Sequence, residues 1–311
     1  MNSEKIRVEI VTPVHNRKNI TLLCLKSLSR LSTEKCKIHT IVVDDGSTDG
    51  TTDAIREQFP EVEVIAGNGD LWFTEGTNVA IRAALKHNPD YVLMINDDAV
   101  FDANFLNCMV ETAEKHPHSV IGSLLLLWDQ PHKIFQVAPV WNTWLGGWRH
   151  WYSQTVWTVP GKPWKVDLIV GNCLLVPAQA FRQAGLMNSQ RYPNFGDAEF
   201  TPRLKRLGWQ LLIEPRARVF CQPNTVPVRV RTMGFRKMFS ALFLDLGQNP
   251  NLRRRFYANI DGAPTTLAGV VSFFAFLARI VVGINHERGA WAMQQHEAPL
   301  SETFASAVVD D

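Results

Sequence analysis

Short apolar runs alternate with amphipathic stretches along the first hundred residues. The apolar runs predict β-strands at 8–12, 38–43, 62–65 and 91–95, and residues with helical spacing predict helices at 19–31, 48–59 and 77–87. Strands that alternate with helices of this length form βαβ units. The pattern therefore predicts an α/β protein with a mainly parallel central sheet and helices on both faces.

The alternation is less regular after residue 100. We predict helices at 101–116, 177–184 and 195–207, strands at 120–128, 167–176 and 211–213, and a long loop or hairpin at 139–164. Beyond Pro227 the sequence is basic and then apolar, which predicts a helical C-terminal extension. The chain therefore divides into a domain at 1–228, with halves at 1–100 and 101–228, and an extension at 229–311.

Composition narrows the class of protein. The 311 residues are 46% hydrophobic and 20% charged, which fits a globular protein and excludes wholesale disorder. The five cysteines are scattered without a Cys-x-x-Cys pair, so neither a zinc site nor a disulfide framework is expected. The polar first five residues run directly into a predicted strand, so we expect no signal peptide and a cytoplasmic protein.

Positive charge is concentrated in one part of the chain. Residues 201–260 contain twelve Lys or Arg and two Asp or Glu, although the whole chain has a net charge of only +2. The following run 267–284 is apolar except for Ser272 and Arg279, and it barely reaches the length that spans a bilayer. A basic segment beside an apolar one is typical of peripheral contact with anionic lipid, so 229–284 predicts contact with the inner face of the cell membrane. Packing in a core or in a homodimer is the first alternative and a true membrane span is the second, and nucleic-acid binding would leave the apolar run unexplained.

Carboxylates follow two of the predicted strands. Asp44-Asp45 comes after the second strand and Asn96-Asp97-Asp98 after the fourth. Ligands of α/β sheets bind outside the carboxyl ends of the strands. Adjacent carboxylates there repel one another, and a divalent cation such as Mg²⁺ or Mn²⁺ relieves the repulsion. A turn or a helix cap is the alternative role for these residues.

Five ordered blocks resemble the family 2 glycosyltransferases, which have the GT-A fold. The blocks are Thr12-Pro13-Val14-His15-Asn16-Arg17, Val42 to Asp49, Asn68 to Asn78, Asn96-Asp97-Asp98, and Gly196-Asp197-Ala198-Glu199-Phe200 with Arg203 and Gly208. The resemblance covers about residues 6–225. It implies that 1–228 is a catalytic domain whose first half binds a nucleotide and whose second half binds an acceptor.

The resemblance also implies individual roles on the donor side. Asp98 would bind Mg²⁺ or Mn²⁺, Asp44 would accept a hydrogen bond from the base, and Asp97 or Asn96 would lie near the ribose. The remaining residues expected at the nucleotide are Thr12, Pro13, His15, Arg17 and Asn78. Many relatives have a metal-binding His after the last strand, where this chain has Cys221 and Gln222.

On the acceptor side, Asp197 matches the family's general base. A sugar hydroxyl is a poor nucleophile, so a positioned carboxylate must take its proton as it attacks. Glu199 is the second candidate for this base, because the block lacks the usual Glu before Asp197. The alternative for Asp197 is a helix N-terminal charge that the dipole stabilises.

Six of the ten tryptophans lie between Trp141 and Trp164. Indole faces stack on sugar rings, so Trp144, Trp148 and Trp151 are candidate acceptor contacts, and a packed cluster or a dimer interface is the alternative.

Together these features predict an inverting, metal-dependent glycosyltransferase. It would move a sugar from a UDP- or dTDP-linked donor to a hydroxyl of a glycan or lipid-linked saccharide, as in bacterial surface-polysaccharide assembly. A sugar nucleotidyltransferase is disfavoured because 12–17 is not a glycine-rich phosphate loop. A non-catalytic carbohydrate- or membrane-binding protein on the same scaffold is the third hypothesis.

Overall fold

The first half of the chain forms the predicted βαβ units. A computed structural model describes residues 5–32, 34–137, 140–149, 154–222, 234–245 and 251–282. The first elements are β1 (Ile6–Val14), α1 (Lys18–Leu28), β2 (Cys36–Asp44), α2 (Thr51–Gln58), β3 (Glu63–Ala66), α3 (Trp72–Lys86) and β4 (Tyr91–Ile95). Strand β1 pairs in parallel with both β2 and β4, and β2 pairs in parallel with β3. All four predicted strands are confirmed.

The second half adds antiparallel strands to the same sheet. Its elements are β5 (Ala99–Phe101), α4 (Phe105–Lys115), β6 (Ser119–Leu127), β7 (Ile134–Gln136), β8 (Val140–Asn142), β9 (Gly147–Arg149), β10 (Trp164–Lys165), β11 (Cys173–Pro177), α5 (Ala178–Ala184), α6 (Asp197–Arg206) and β12 (Gln210–Cys221). The strand order is β10-β12-β6-β11-β4-β1-β2-β3, and β11 runs antiparallel to both of its neighbours. The mixed α/β architecture confirms the predicted fold class.

Several element boundaries differ from the prediction, among them the start of β11, which is Cys173 rather than residue 167. Residues 99–101 are a strand that pairs with β12, so the helix predicted at 101–116 begins at Phe105 instead. Strand β12 has twelve residues rather than three, because it continues through the irregular segment between Glu214 and Arg218 to pair again with β6. Helix α3 begins at Trp72, five residues before the predicted start.

The sheet buries an apolar core on each face. On one face Leu25 of α1 and Met109 of α4 pack with Ile10 and Leu93. On the other face, side chains of α3 and α6 pack with Val11 and Ile41. Covering both faces in this way leaves the carboxyl ends of the parallel strands as the open edge of the fold.

The described C-terminal residues form helices. They are α7 (Phe235–Phe239), which continues into a π-helical turn at Ser240–Leu244, then α8 (Leu252–Gly262) and α9 (Thr266–Val282). Asp261 of α8 accepts hydrogen bonds from Arg191 and from the Tyr192 hydroxyl, and its carbonyl accepts one from Arg206. Among the described helices, α9 included, none combines the length and the apolar character needed to cross a bilayer.

The tryptophan-rich stretch, predicted as a long loop or a hairpin, contains a hairpin. Strands β8 and β9 pair in antiparallel through a 3₁₀ turn at Thr143–Leu145. A Cβ atom at Gly262 would lie 2.8 Å from Nε1 of Trp148 and 3.3 Å from the carbonyl oxygen of Ala198. The hairpin, α8 and the start of α6 are therefore in direct contact.

Candidate active site

A cavity of about 560 Å³ opens at the carboxyl ends of β1, β2 and β4. It is bounded on one side by these strand ends and on the other by the start of α6. The residues that line it are Pro13, Val14, His15, Arg17, Asp45, Gly69, Trp72, Phe73, Asn96, Asp97, Asp98, Phe135, Gln136, Val170, Gly171, Asn172, Asn194, Phe195 and Asp197. Seven of these are predicted site residues, so the chain brings donor-side and acceptor-side candidates to one cavity.

Two buried carboxylates share one guanidinium at the cavity wall. Nη1 of Arg17 lies 3.0 Å from Oδ1 of Asp97, and Nη2 lies 3.0 Å from Oδ2 of Asp98. Thr21 donates a further hydrogen bond of 2.9 Å to Asp97. Burial raises the pKa of Asp97 to about 6, although Arg17 opposes this change, and the neighbouring Asp98 charge adds to it.

Two oxygen atoms at the same strand end are buried without a hydrogen-bond partner. They are Oδ1 of Asp98 and Oδ1 of Asn96. A buried oxygen without a partner is costly. Both are hard ligands of the kind that Mg²⁺ and Mn²⁺ prefer, so these residues fit a divalent cation.

Of the second predicted pair of carboxylates, Asp44 and Asp45, only Asp45 lines the cavity. Asp44, expected at the base, is buried beneath the cavity floor, where it accepts hydrogen bonds from Ser47 N–H and the Thr52 hydroxyl. Asp45 lines the cavity instead. Its carboxylate accepts the backbone N–H groups of Gly69, Leu71 and Trp72 at 2.8, 2.9 and 3.1 Å, which fixes the loop before α3.

Two other predicted nucleotide contacts, Thr12 and Asn78, do not line the cavity. Thr12 is buried within β1. Asn78 of α3 exchanges two hydrogen bonds with the backbone of Met187, donating one at 2.9 Å and accepting the other at 3.1 Å. Asn78 therefore ties α3 to the segment that leads into α6. His15 does line the cavity and has Nδ1 2.6 Å from the carbonyl oxygen of Asp45.

Of the two candidate bases, Asp197 is the one that faces the cavity. It is the first residue of α6, and its Oδ2 accepts the Gly171 N–H at 2.8 Å. Burial raises the pKa of Asp197 above the usual range of an aspartate. Glu199 points elsewhere, because Arg203 one helical turn later holds both of its carboxylate oxygens, at 2.6 and 3.0 Å.

Aromatic side chains line the cavity, but they are not the predicted ones. Trp72 is 50% exposed and Phe195 is 49% exposed, and both have positive φ angles, of 58° and 65°. Such backbone conformations are outliers for bulky residues and cluster at functional sites. Nothing in the sequence pattern distinguished Trp72 and Phe195 from core aromatics.

Two of the predicted acceptor tryptophans, Trp144 and Trp148, do not line the cavity. Trp144 is exposed on the 3₁₀ turn, and Trp148 packs edge-on against Trp141. Trp151 lies outside the described residues. Cys221 is buried at the end of β12, and the next residue, Gln222, donates its N–H to the carbonyl oxygen of Asp98 at 3.0 Å.

The fold is that of the GT-A glycosyltransferases. Residues 9–136 match the family described as glycosyl transferase family 2, so the chain contains a family 2 domain. An N-acetylglucosaminyl-diphospho-decaprenol L-rhamnosyltransferase of Mycobacterium tuberculosis is 25% identical over 218 residues, and the match covers 63% of this chain and 69% of that protein. The predicted family and enzyme class are thereby confirmed.

Solved structures share the fold at low sequence identity. GalNAc-T7 with UDP, GalNAc and Mn²⁺ is 12% identical with a TM-score of 0.57; the match covers 91% of this chain and 58% of that one, so this chain spans less than two thirds of it. The mannosyltransferase PcManGT from Pyrobaculum calidifontis, in complex with GDP-Man and Mn²⁺, is 16% identical with a TM-score of 0.54. The match covers 99% of this chain and 86% of that one. TarS residues 1–349 from S. aureus are 13% identical with a TM-score of 0.54. The match covers 92% of this chain and 78% of that one.

Proposed function

We propose that the protein transfers a sugar from a UDP- or dTDP-linked donor to a hydroxyl of a glycan or lipid-linked saccharide, with inversion at the anomeric centre. One observation carries the proposal: Asp97 and Asp98 at the end of β4 face the same cavity as Asp197 at the start of α6. The mycobacterial relative, named for an L-rhamnosyl transfer to a diphospho-decaprenol saccharide, supports a lipid-linked acceptor.

The donor side requires positive charge, because the leaving nucleoside diphosphate gains negative charge as the bond breaks. Arg17 supplies one positive charge at this wall. Asp98 and Asn96, with their unpartnered buried oxygens, would hold Mg²⁺ or Mn²⁺. When bound, that ion supplies charge neutralisation for the diphosphate.

On the acceptor side, Asp197 takes the proton of the attacking hydroxyl. The Gly171 N–H fixes the orientation of its carboxylate, and the raised pKa makes it a stronger base than an ordinary aspartate. A single attack from the side opposite the diphosphate inverts the anomeric centre. Trp72 and Phe195, at the exposed part of the cavity lining, offer ring faces on which a sugar can stack.

The test is nucleotide release from a panel of UDP- and dTDP-sugars with saccharide acceptors, with and without Mn²⁺. Asp98→Asn and Asp197→Asn should each abolish transfer, while Asp197→Asn keeps nucleotide binding. Asp167→Asn is the matched control, because Asp167 is an exposed aspartate paired with Lys205 away from the cavity. Full transfer by either site variant would refute the assignment, and retention of the anomeric configuration, read by NMR of the product, would refute the inverting mechanism.

We also propose that the protein contacts the inner face of the cell membrane through α7 and the π-helical turn after it. Phe235, Phe239, Phe243 and Leu244 are exposed there beside Arg236 and Lys237. Exposed aromatic residues with adjacent positive charge suit an anionic lipid surface. Co-sedimentation with phosphatidylglycerol vesicles should exceed that with phosphatidylcholine vesicles and fall in Phe235→Ser. Equal sedimentation of Phe235→Ser, or a concentration-dependent dimer that masks this surface, would refute the membrane contact.

A further inference from the structure

A second cluster of ligand-type side chains lies at the other end of the parallel strands. Glu9 of β1 and His39 of β2 are direct partners in the parallel register, so their side chains lie on the same face of the sheet. His87 follows the last residue of α3 and joins them there. None of the three lines the cavity, and Glu9 is five residues from the end of β1, about 16 Å along the strand.

The three side chains converge on one carboxylate oxygen. Oε2 of Glu9 lies 2.7 Å from Nδ1 of His39 and 3.2 Å from Nδ1 of His87. One ligand atom from each residue can be chosen so that all three lie within 4.8 Å of one another. The ligands of a tetrahedral zinc ion are about 3.3 Å apart, given bonds of about 2.0 Å. Side-chain movements of about an ångström would therefore bring these atoms into coordination.

The surroundings favour a metal over a purely structural ion pair. Glu9 is buried, whereas His39 and His87 are partly exposed, so a cation can enter from solvent. The other ring nitrogen of His39, Nε2, lies 3.8 Å from Oε2 of Glu63 on β3. Histidines that bind metals commonly direct the second nitrogen to a carboxylate, which orients the ring. The cluster thus offers a ligand set, with the Glu63 carboxylate close to the outer nitrogen of His39.

We propose that Glu9, His39 and His87 form a zinc site, separate from the catalytic cavity, that ties β1 and β2 to the end of α3. Two imidazole nitrogens and one carboxylate select a transition metal such as Zn²⁺, since Mg²⁺ prefers an all-oxygen set. Water would complete the coordination. Because the ligands come from three elements, the bound ion fastens the nucleotide-binding half of the sheet to the helix that covers it.

The experiment is thermal unfolding of the full chain with and without Zn²⁺. At roughly a hundredfold excess over its dissociation constant, the ion should raise the Tm by about 5 °C. His39→Gln and His87→Gln should each lose this shift, while His116→Gln, an exposed histidine elsewhere, should retain it. Asp98→Asn should also retain it, which separates this site from the cavity.

Co²⁺ supplies a second readout that does not depend on stability. Its visible absorption should show a nitrogen- and oxygen-bound ion in the wild type and in His116→Gln, and should be lost in both histidine variants of the site. The proposal is overturned if the wild type shows no Zn²⁺-dependent shift, if either His39→Gln or His87→Gln keeps the shift and the Co²⁺ spectrum, or if Asp98→Asn abolishes them.

Discussion

Replacing Arg17 with methionine should destabilise the protein by removing the positive charge shared by two buried carboxylates. The guanidinium lies 3.0 Å from an oxygen of each, and the side chains of Asp97 and Asp98 are only 4% and 2% exposed. Breaking a buried ion pair costs about 3–5 kcal/mol, because the remaining charge stays in a poorly solvated place. Arg17 itself is 37% exposed, so solvent screening reduces the expected loss to about 2 kcal/mol at neutral pH.

The loss should depend on pH in a definite direction. Burial already raises the pKa of Asp97 to about 6, and Arg17 opposes that rise, so Arg17→Met should raise it further. A carboxyl whose pKa is higher in the folded than in the unfolded state favours folding at low pH, and this stability is lost as pH rises through the folded pKa. The deficit of the variant should therefore be small below about pH 6, the pKa of Asp97 in the wild type, and should grow as the pH rises above it.

The assay is thermal unfolding of wild type and Arg17→Met at pH 5 and pH 7.5, with and without Mn²⁺. A loss of about 2 kcal/mol corresponds to a Tm lower by roughly 3 °C, and Mn²⁺ should restore part of it by replacing the missing charge. Arg7→Met is the control, because Arg7 pairs with Asp90 at the exposed start of β1. Equal losses in both variants, or a loss at Arg17 that does not change with pH, would refute the reasoning.

Three further changes test other parts of the site. Asp197→Asn should lower kcat by about 10²–10⁴-fold without weakening nucleotide binding. The wild-type rate should fall as the pH drops through the raised pKa of Asp197, and a flat pH–rate profile would contradict the base role. Asp45→Asn should weaken UDP or dTDP binding in calorimetry, because it replaces one of the two carboxylate oxygens that accept N–H groups of the loop 67–72 with an NH₂ donor, and unchanged affinity would contradict this. Gly122→Ala should cost about 1–3 kcal/mol in denaturant unfolding, since its Cβ would lie 2.6 Å from Cγ2 of Ile169; an unchanged midpoint would show that the core adjusts freely.

The nucleotide-binding half could be predicted closely because its pattern is local. Each of its strands is an uninterrupted apolar run, and each run ends at polar residues that the parallel topology brings to one edge. The second half depends on contacts that are distant in sequence. Within β12, Glu214 is fully buried only because Arg216 and Thr112 satisfy its carboxylate, so the charged residues there interrupt an apolar run without ending the strand.

The candidate site shows the same division. The Asp-Asp pair at 44–45 was identifiable as a strand-end motif, but its sequence could not indicate which carboxylate turns toward the cavity. That choice depends on the turn that Asp44 caps through Ser47. Likewise, Trp72 and Phe195 line the cavity in left-handed backbone conformations. Hydrophobic periodicity does not predict a positive φ at an aromatic residue.

The contacts of Asp261 bear on how the enzyme can be shortened for expression. A fragment that stops at residue 228 would lack α8 and would leave the buried Tyr192 hydroxyl without the carboxylate that accepts its hydrogen bond. It would also uncover the Trp148 face that Gly262 covers. We therefore expect the smallest well-behaved catalytic fragment to extend through α9 at residue 282, and expression screening of 1–228 against 1–282 should recover monodisperse protein only from the longer one.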